Sequence, residues 1–310
     1  MKKVGTSTSD KIITKILKYL RTAISKPGPM KYYIVFFALI LTTNFSFAQS
    51  FGKTLKETPG IVSYTYRKSF DKDVAATLDT IKRMGITNIE FSNLFKRTAK
   101  EIKQMLDERG MRCTSFGVSY ADLIDKTGEV GENAKALGAT YVRVAWIPHE
   151  GPFTVEMAKK AADDFNKAGK FLKENYNLTF CYHNHGYEFV PQGGGTIFDY
   201  IAANTDANFV SFELDIVWAY LPGYDPAELI KKYPSRFRLM HVKDVRKGVK
   251  GDASGKIDTE SNVALGTGQI NIASIIKAAK KSSIQYYYIE DESNAVNAQV
   301  PVSLTYLKSL

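Results

Sequence analysis

The sequence predicts a single (β/α)8 barrel, and three observations carry that prediction. Eight short apolar or β-branched runs recur at 60–66, 87–91, 112–118, 140–147, 178–183, 209–214, 237–242 and 285–289. Segments of helical periodicity separate them, clearest at 71–84, 98–109, 155–174, 226–233 and 272–281. Eight strand–helix units in about 250 residues fit a closed barrel. The rival, a doubly wound sheet, calls for a glycine-rich phosphate turn after its first strand, and residues 63–70 contain no glycine.

The elements follow in order. The first run, 60–66, leads into the helical stretch 71–84, which Gly85 closes. The second run carries Glu90 near its end, and Gly110 closes the helix after it. Gly138 ends another helical stretch before the fourth run, which contains Trp146. A glycine just past a helix supplies the left-handed residue that terminates it. The fifth run continues into Tyr182-His183-Asn184-His185-Gly186-Tyr187-Glu188, and Gly193-Gly194-Gly195 beyond it lacks dinucleotide spacing and reads as a loop. The sixth run leads to Asp215 and Trp218. Asp225-Pro226 then opens a helix, since Asp caps and Pro suits the first turn. The seventh run ends His241-Val242-Lys243-Asp244, and the eighth ends Glu290-Asp291-Glu292.

Composition narrows the function. With 310 residues, 44% hydrophobic and 24% charged, the chain is globular rather than collagenous, coiled-coil or disordered. Two cysteines exclude a disulfide framework and any thiolate-built zinc or iron–sulfur centre. The net charge of +10 is concentrated at the front. Residues 1–49 hold eight of the 42 Lys/Arg and one of the 32 Asp/Glu, which leaves only +3 for the rest. That balance opposes a nucleic-acid partner.

The front of the chain reads as an address. Met30 and Lys31 precede an apolar run over 32–41, and Ser46 and Ala48 place small residues before a cut at Gln49. This is the layout of a signal peptide over 30–48, and the apolar run is short of the ~20 residues a membrane span needs. The organisation expected is an upstream stretch 1–29, a signal peptide 30–48, a linker 49–59 and a barrel 60–310. The mature protein is expected to be periplasmic or secreted, with no stable membrane anchor.

Barrel chemistry sits at the C-terminal ends of the strands. Three of the four histidines and an excess of acids fall at the ends of adjacent strands here. His183, Asp215, His241 and Glu290 form a mixed nitrogen and oxygen set that suits one divalent ion such as Mn²⁺, Co²⁺, Zn²⁺ or Mg²⁺. Each taken singly also fits a satisfied polar core residue or a helix cap.

The strings YHNHGYEF, ELDIVWA, HVKD, ALGTGQINI and IEDES, in this order, resemble the xylose-isomerase-like barrel superfamily, the sugar phosphate isomerase/epimerase group, over residues 60–308. The resemblance implies a divalent ion held by ligands from strands five to eight. Asp215, His241 and Glu290 match the last three. Many relatives have Glu where this chain has His183, so Glu188 is the alternative first ligand. With His183 as ligand, Glu188 and His185 are the acid–base candidates, and Lys243 is a contact for the reacting oxygens. Glu90, Trp146 and Trp218 are the candidate substrate contacts, with Tyr182 a second stacking candidate. Trp218 departs from the substrate-binding His that ketose epimerases of the group often carry there. Asp244 is a candidate orienting group, and Gly266-Thr267-Gly268 resembles the group's glycine turn.

The function expected is an exported, metal-dependent sugar isomerase or epimerase that removes the proton α to a carbonyl of a small sugar. A 3-keto-glycoside lyase or hydratase on the same site is the alternative. An endonuclease IV-like nuclease needs several metals and more histidines than this chain has. A sugar-binding barrel without catalysis would need no metal set.

Overall fold

The computed structural model describes residues 51–55 and 58–310. The signal peptide and upstream stretch read from the sequence lie outside the described residues. Eight parallel strands close a barrel. They are β1 (Gly60–Val62), β2 (Asn88–Phe91), β3 (Arg112–Val118), β4 (Tyr141–Val144), β5 (Thr179–His183), β8 (Val210–Asp215), β9 (Phe237–Val242) and β10 (Tyr286–Ile289), neighbours in that order, with β10 closing on β1. Two further strands among the described residues, β6 (Pro191–Gln192) and β7 (Gly195–Thr196), form a small antiparallel hairpin whose turn uses Gly193 and Gly194 at positive φ.

The helices begin and end where side chains satisfy their open backbone groups. Thr98 and Glu101 form a capping box on Ala99–Asp107, and Thr154 caps the long helix Val155–Tyr176. Asp225 caps Pro226–Lys232, with the proline in its first turn. Gly138, at φ 79°, terminates Thr127–Leu137. Among the described residues no helix is long and apolar enough to cross a membrane.

Three differences from the sequence reading have local causes. The first strand stops at Val62, and Ser63–Tyr66 winds into a 3₁₀ turn, because pairing with β2 ends at Val62 and Ser63 Oγ turns to accept the Ser92 amide at 2.8 Å. Helices Tyr120–Asp125, Ile197–Asn204, Ile216–Tyr220 and Val296–Ser309 were not read from periodicity. Residues 51–55 are not a free linker, since Leu55 is buried and Thr54 Oγ1 donates to the Leu310 carbonyl at 2.5 Å.

Strand parity organises the barrel interior. Tyr141, Cys181, Leu239 and Tyr288, from β4, β5, β9 and β10, pack together as a buried plug. Two residues further along the same chain segments stand Arg143, His183, His241 and Glu290, all buried. The apolar plug thus seals the barrel beneath a layer made almost wholly of ionisable groups.

Candidate metal centre and catalytic cavity

Each member of the predicted ligand set is placed by its strand. His183 is the last residue of β5 and Asp215 the last of β8. His241 lies next to last in β9, and Glu290 follows β10. Register puts Asp215 opposite His241, so their side chains meet. One ligand atom from each of the four residues lies within 4.8 Å of the others. His183 Nε2 is 3.2 Å from His241 Nδ1 and 3.6 Å from Asp215 Oδ2, and His241 Nδ1 is 3.0 Å from Glu290 Oε2. Metal–ligand bonds of ~2.0–2.1 Å put neighbouring ligand atoms of a tetrahedral site about 3.3 Å apart. The set fits a divalent ion.

The hydrogen bonds point to the same fit. Asp215 Oδ1 accepts from the amides of Val217 and Trp218 and so caps the short helix Ile216–Tyr220. Its other oxygen, Oδ2, is buried without a hydrogen-bond partner. The Lys243 ammonium faces it from 4.0 Å, beyond hydrogen-bond distance, so a cation at bonding distance would satisfy an oxygen that is otherwise costly to bury. Burial, followed by the charges of His241 and Arg143, holds His183 well below the usual histidine range, so its Nε2 lone pair is available.

His241 is gripped from behind. Its Nε2 lies 2.8 Å from Glu90 Oε1 and 3.3 Å from Glu213 Oε2. A carboxylate on the far nitrogen fixes the tautomer and directs Nδ1 at the cluster. Arg143 completes this lower layer, 2.7 Å from Glu90 and 3.3 Å from Glu213. Glu90, Glu213 and His241 also have metal-ligand spacing. The Arg143 guanidinium already supplies the cation between those two carboxylates. Burial opposes ionisation of Glu90, but Arg143 and His241 outweigh it and pull that carboxyl well below its usual range. Burial and the neighbouring Glu90 charge push Glu213 well above it.

A cavity of about 660 Å³ opens over the cluster at the C-terminal ends of the strands. His183, His241 and Glu290 line its depth, and His185, Trp146 and Trp218 its walls. A larger cavity of about 780 Å³, beside Pro226–Lys232, contains none of the predicted site residues. His185 stacks on Trp218 at 5.5 Å, and its ring Nδ1 has no hydrogen-bond partner. Burial, the largest cause, depresses its basicity well below the ordinary value.

Lys243 is fully buried beneath Trp218, with Nζ 5.1 Å from the indole ring. It bonds Glu292 and lies 3.4 Å from Glu290 Oε2. Burial works against its charge, but Glu290, Glu292 and Asp215 overcome this and raise its pKa. It reaches the cavity through these partners and is not itself on the wall. The sequence expectation of a direct contact with reacting oxygens is corrected to that extent.

Four more expectations change. Glu188 is not beside the cluster. The chain leaves the strand at His183, and the 3₁₀ turn Tyr187–Phe189 carries Glu188 behind it, where it bonds the Tyr182 hydroxyl and accepts the His185 amide at 2.9 Å. Tyr182 packs against Phe165 in the helix layer, 4.9 Å between rings, so it cannot stack on a ligand in the cavity. Glu188 is neither the first ligand nor a base within the cavity, and it anchors the backbone of His185. Glu90 is likewise fully buried and engaged by Arg143 and His241, not exposed to a substrate. Asp244 is not directed at the cluster. It accepts the amides of Val245, Gly266, Gly268 and Ile270 and so builds the glycine turn. A Cβ at Gly268 would lie 2.2 Å from its Oδ1.

Arg143 and Glu213 are not among the site residues expected from the sequence. The signal was present. Each is an ionisable residue at an inward parity position of its strand, Arg143 in Tyr-Val-Arg-Val and Glu213 two residues before Asp215 in Val-Ser-Phe-Glu-Leu-Asp.

The profile of the xylose isomerase-like TIM barrel family matches residues 78–310. Inosose dehydratase from Clostridium perfringens is 30% identical over 184 residues, covering 53% of this chain and 61% of that enzyme. The chain thus spans about three fifths of the length of that curated relative. A sugar phosphate isomerase/epimerase structure from Parabacteroides distasonis superposes with a TM-score of 0.66 at 24% identity, covering 84% of this chain and 98% of its own. The IOLI protein, whose structure carries a zinc atom, superposes with a TM-score of 0.65 at 14% identity over 80% of this chain and 95% of its own.

Proposed function

Because the chain belongs to the xylose isomerase-like TIM barrel family, we propose that it is a divalent-metal-dependent enzyme acting on a small polyhydroxylated carbonyl compound by removal of the α-proton. The observation that carries this reading is the four-residue cluster, with Asp215 Oδ2 unpartnered and His241 directed by Glu90, at the base of an open cavity. His183, Asp215, His241 and Glu290 would hold the ion, which when bound supplies Lewis-acid polarisation of a carbonyl and its neighbouring hydroxyl.

The chain's own residues do the rest. Neutral His185, held by its backbone to Glu188 and by its ring to Trp218, takes the α-proton. Lys243, kept cationic by Glu290 and Glu292, stabilises negative charge that develops on the reacting oxygens through the cluster it braces. Trp218, nearly buried in the wall of the cavity, excludes water and orients the ring. Return of the proton to the other face or to the next carbon gives an epimerase or isomerase.

A second reading shares the first step. Loss of a β-hydroxyl instead of reprotonation makes the enzyme a dehydratase, and the relatedness to inosose dehydratase favours it. Product analysis by NMR on a panel of inososes, ketoses and keto-glycosides separates the two. An enone-type product identifies the lyase, and an epimer or isomer the isomerase. Conversion that proceeds equally after complete chelation would contradict both.

The site is proposed to work outside the cytoplasm, on the signal-peptide layout of residues 30–48. N-terminal sequencing of the exported protein is expected to start at Gln49. A stable membrane-bound species that retains 30–48 would refute export by cleavage.

A further inference from the structure

The deep part of the cavity is ionic, but its mouth is aromatic. Exposure rises from His241 at 2% and Trp218 at 6% to Trp146 at 37% and Tyr64 at 41%. Only three aromatic side chains among the described residues are both large and strongly exposed, and two of them, Tyr64 and Trp146, line this one cavity. Exposed aromatic groups gathered at a cleft mark a binding surface, whereas scattered ones need no explanation.

Both rings are braced rather than loose. Trp146 stacks on His149 at 4.9 Å and meets Tyr187 edge-on at 4.8 Å. The Tyr187 hydroxyl accepts the Ile147 amide at 3.0 Å, which locks the segment that carries the indole. Tyr64 lies against the Arg67 guanidinium at 4.5 Å, and Arg67 is tied to the Glu292 carbonyl at 3.1 Å. The two rings come from the ends of β1 and β4, three strands apart round the barrel, so they flank the opening from different sides. Ring-to-ring steps lead inward from Trp146 to His185 at 5.2 Å and on to His183 at 5.0 Å. Trp146 therefore stands one full ring outside the layer that touches the cluster. The polar groups of Ser92, Asn93 and Thr259 share the same mouth. A cavity of about 660 Å³ is more than a single six-membered sugar ring requires.

We propose that Tyr64 and Trp146 form an outer subsite for a second ring, so that the preferred substrate is a glycoside whose reacting sugar sits over the cluster and whose attached ring lies between these two aromatic side chains. A sugar or an aromatic aglycone presents the same flat, C–H-rich or π face to them. This deepens the reading of the site as a sugar-carbonyl enzyme and rests on it for which ring reacts.

The test uses intrinsic fluorescence, because the chain's two tryptophans both line the cavity. The full metal-loaded chain is titrated with glucose, cellobiose and phenyl β-glucoside as unreactive probes. At least one two-ring probe is expected to bind about tenfold more tightly than glucose, in line with one added aromatic stacking contact. In Trp218→Phe, where Trp146 is the sole reporter, that probe shifts the emission and glucose leaves it nearly unchanged. Tyr64→Ala brings the ratio of affinities to within about twofold, and Tyr64→Phe restores it. A gain with cellobiose alone identifies a sugar as the second ring, and a gain with phenyl β-glucoside alone an aromatic aglycone. Equal affinities for all three probes, or a Tyr64→Ala chain that keeps the full preference, overturn the subsite. Metal-dependent α-proton exchange on a one-ring ketose separates this failure from failure of the catalytic reading, since exchange needs the cluster and not the outer rings.

Discussion

The imidazole of His241 is held between two carboxylates, with Glu90 Oε1 2.8 Å from Nε2 on one side and Glu290 Oε2 3.0 Å from Nδ1 on the other. Glu90 therefore acts on the cluster through His241. Glu90→Gln is expected to weaken metal affinity about 10–100-fold while leaving all four ligands in place. Competition against a chromogenic chelator measures this. An unchanged affinity would show that His241 needs no orienting carboxylate.

Arg143 supplies the charge that lets Glu90 and Glu213 share the barrel interior. Arg143→Met keeps the bulk and removes the charge. Breaking a buried pair in this way costs about 3–5 kcal/mol. Urea unfolding of the metal-free chain is expected to show a loss of that order. A variant as stable as the parent would mean that the two acids are neutral without help.

The ligand assignment is checked by metal analysis. One ion per chain is expected for the parent, and Glu290→Ala should retain almost none. Asp215→Ala would also remove the cap on Ile216–Tyr220, at about 1 kcal/mol. Asp215→Asn is the cleaner variant, since its oxygen can still accept from Val217 and Trp218 while the charge on the ligand side is gone. Loss of metal from Glu188→Ala with retention in His183→Ala would reverse the choice of first ligand.

Glu188 makes a prediction about stability. Burial raises its pKa to about 7, against hydrogen bonds from Tyr182 and the His185 amide that favour the charged form. The fold thus prefers the protonated acid, while the unfolded chain ionises at the ordinary value near 4.3. The native state holds the extra proton between those values, so the contribution of Glu188 falls as pH rises from about 4.3 to about 7. The full change is roughly 4 kcal/mol. Denaturation of parent and Glu188→Gln across this window is expected to show their difference changing by that order. Parallel curves would place the titration elsewhere.

What the sequence made legible follows strand parity. His183, Asp215, His241 and Glu290 were identifiable because polar residues at strand ends stand out against apolar strands, and parity puts them on the inner face. Parity ceases to apply once the chain leaves a strand, and for that reason Glu188 was misplaced. After Gly186 the turn carries Glu188 to the Tyr182 hydroxyl, on the side of β5 where Tyr182 packs against Phe165 of the helix layer. Arg143 and Glu213 went unread for the opposite reason. They lie within strands, and only pairing across the closed barrel shows that each has an opposite charge to meet. Of the aromatic mouth only Trp146 stood out in the sequence; Tyr64 did not, because the two are 82 positions apart and only barrel closure brings them to one opening.

The most direct test of the central claim is exchange of the substrate's α-proton with D₂O, followed by NMR on the keto-sugar that the protein converts. Metal-loaded parent is expected to lose that proton signal at least as fast as it forms product. His185→Ala should slow exchange about 10²–10⁴-fold with the ion retained, and Glu290→Ala should show no exchange. Conversion by the parent with the α-proton fully retained would contradict proton abstraction and replace it with a hydride shift.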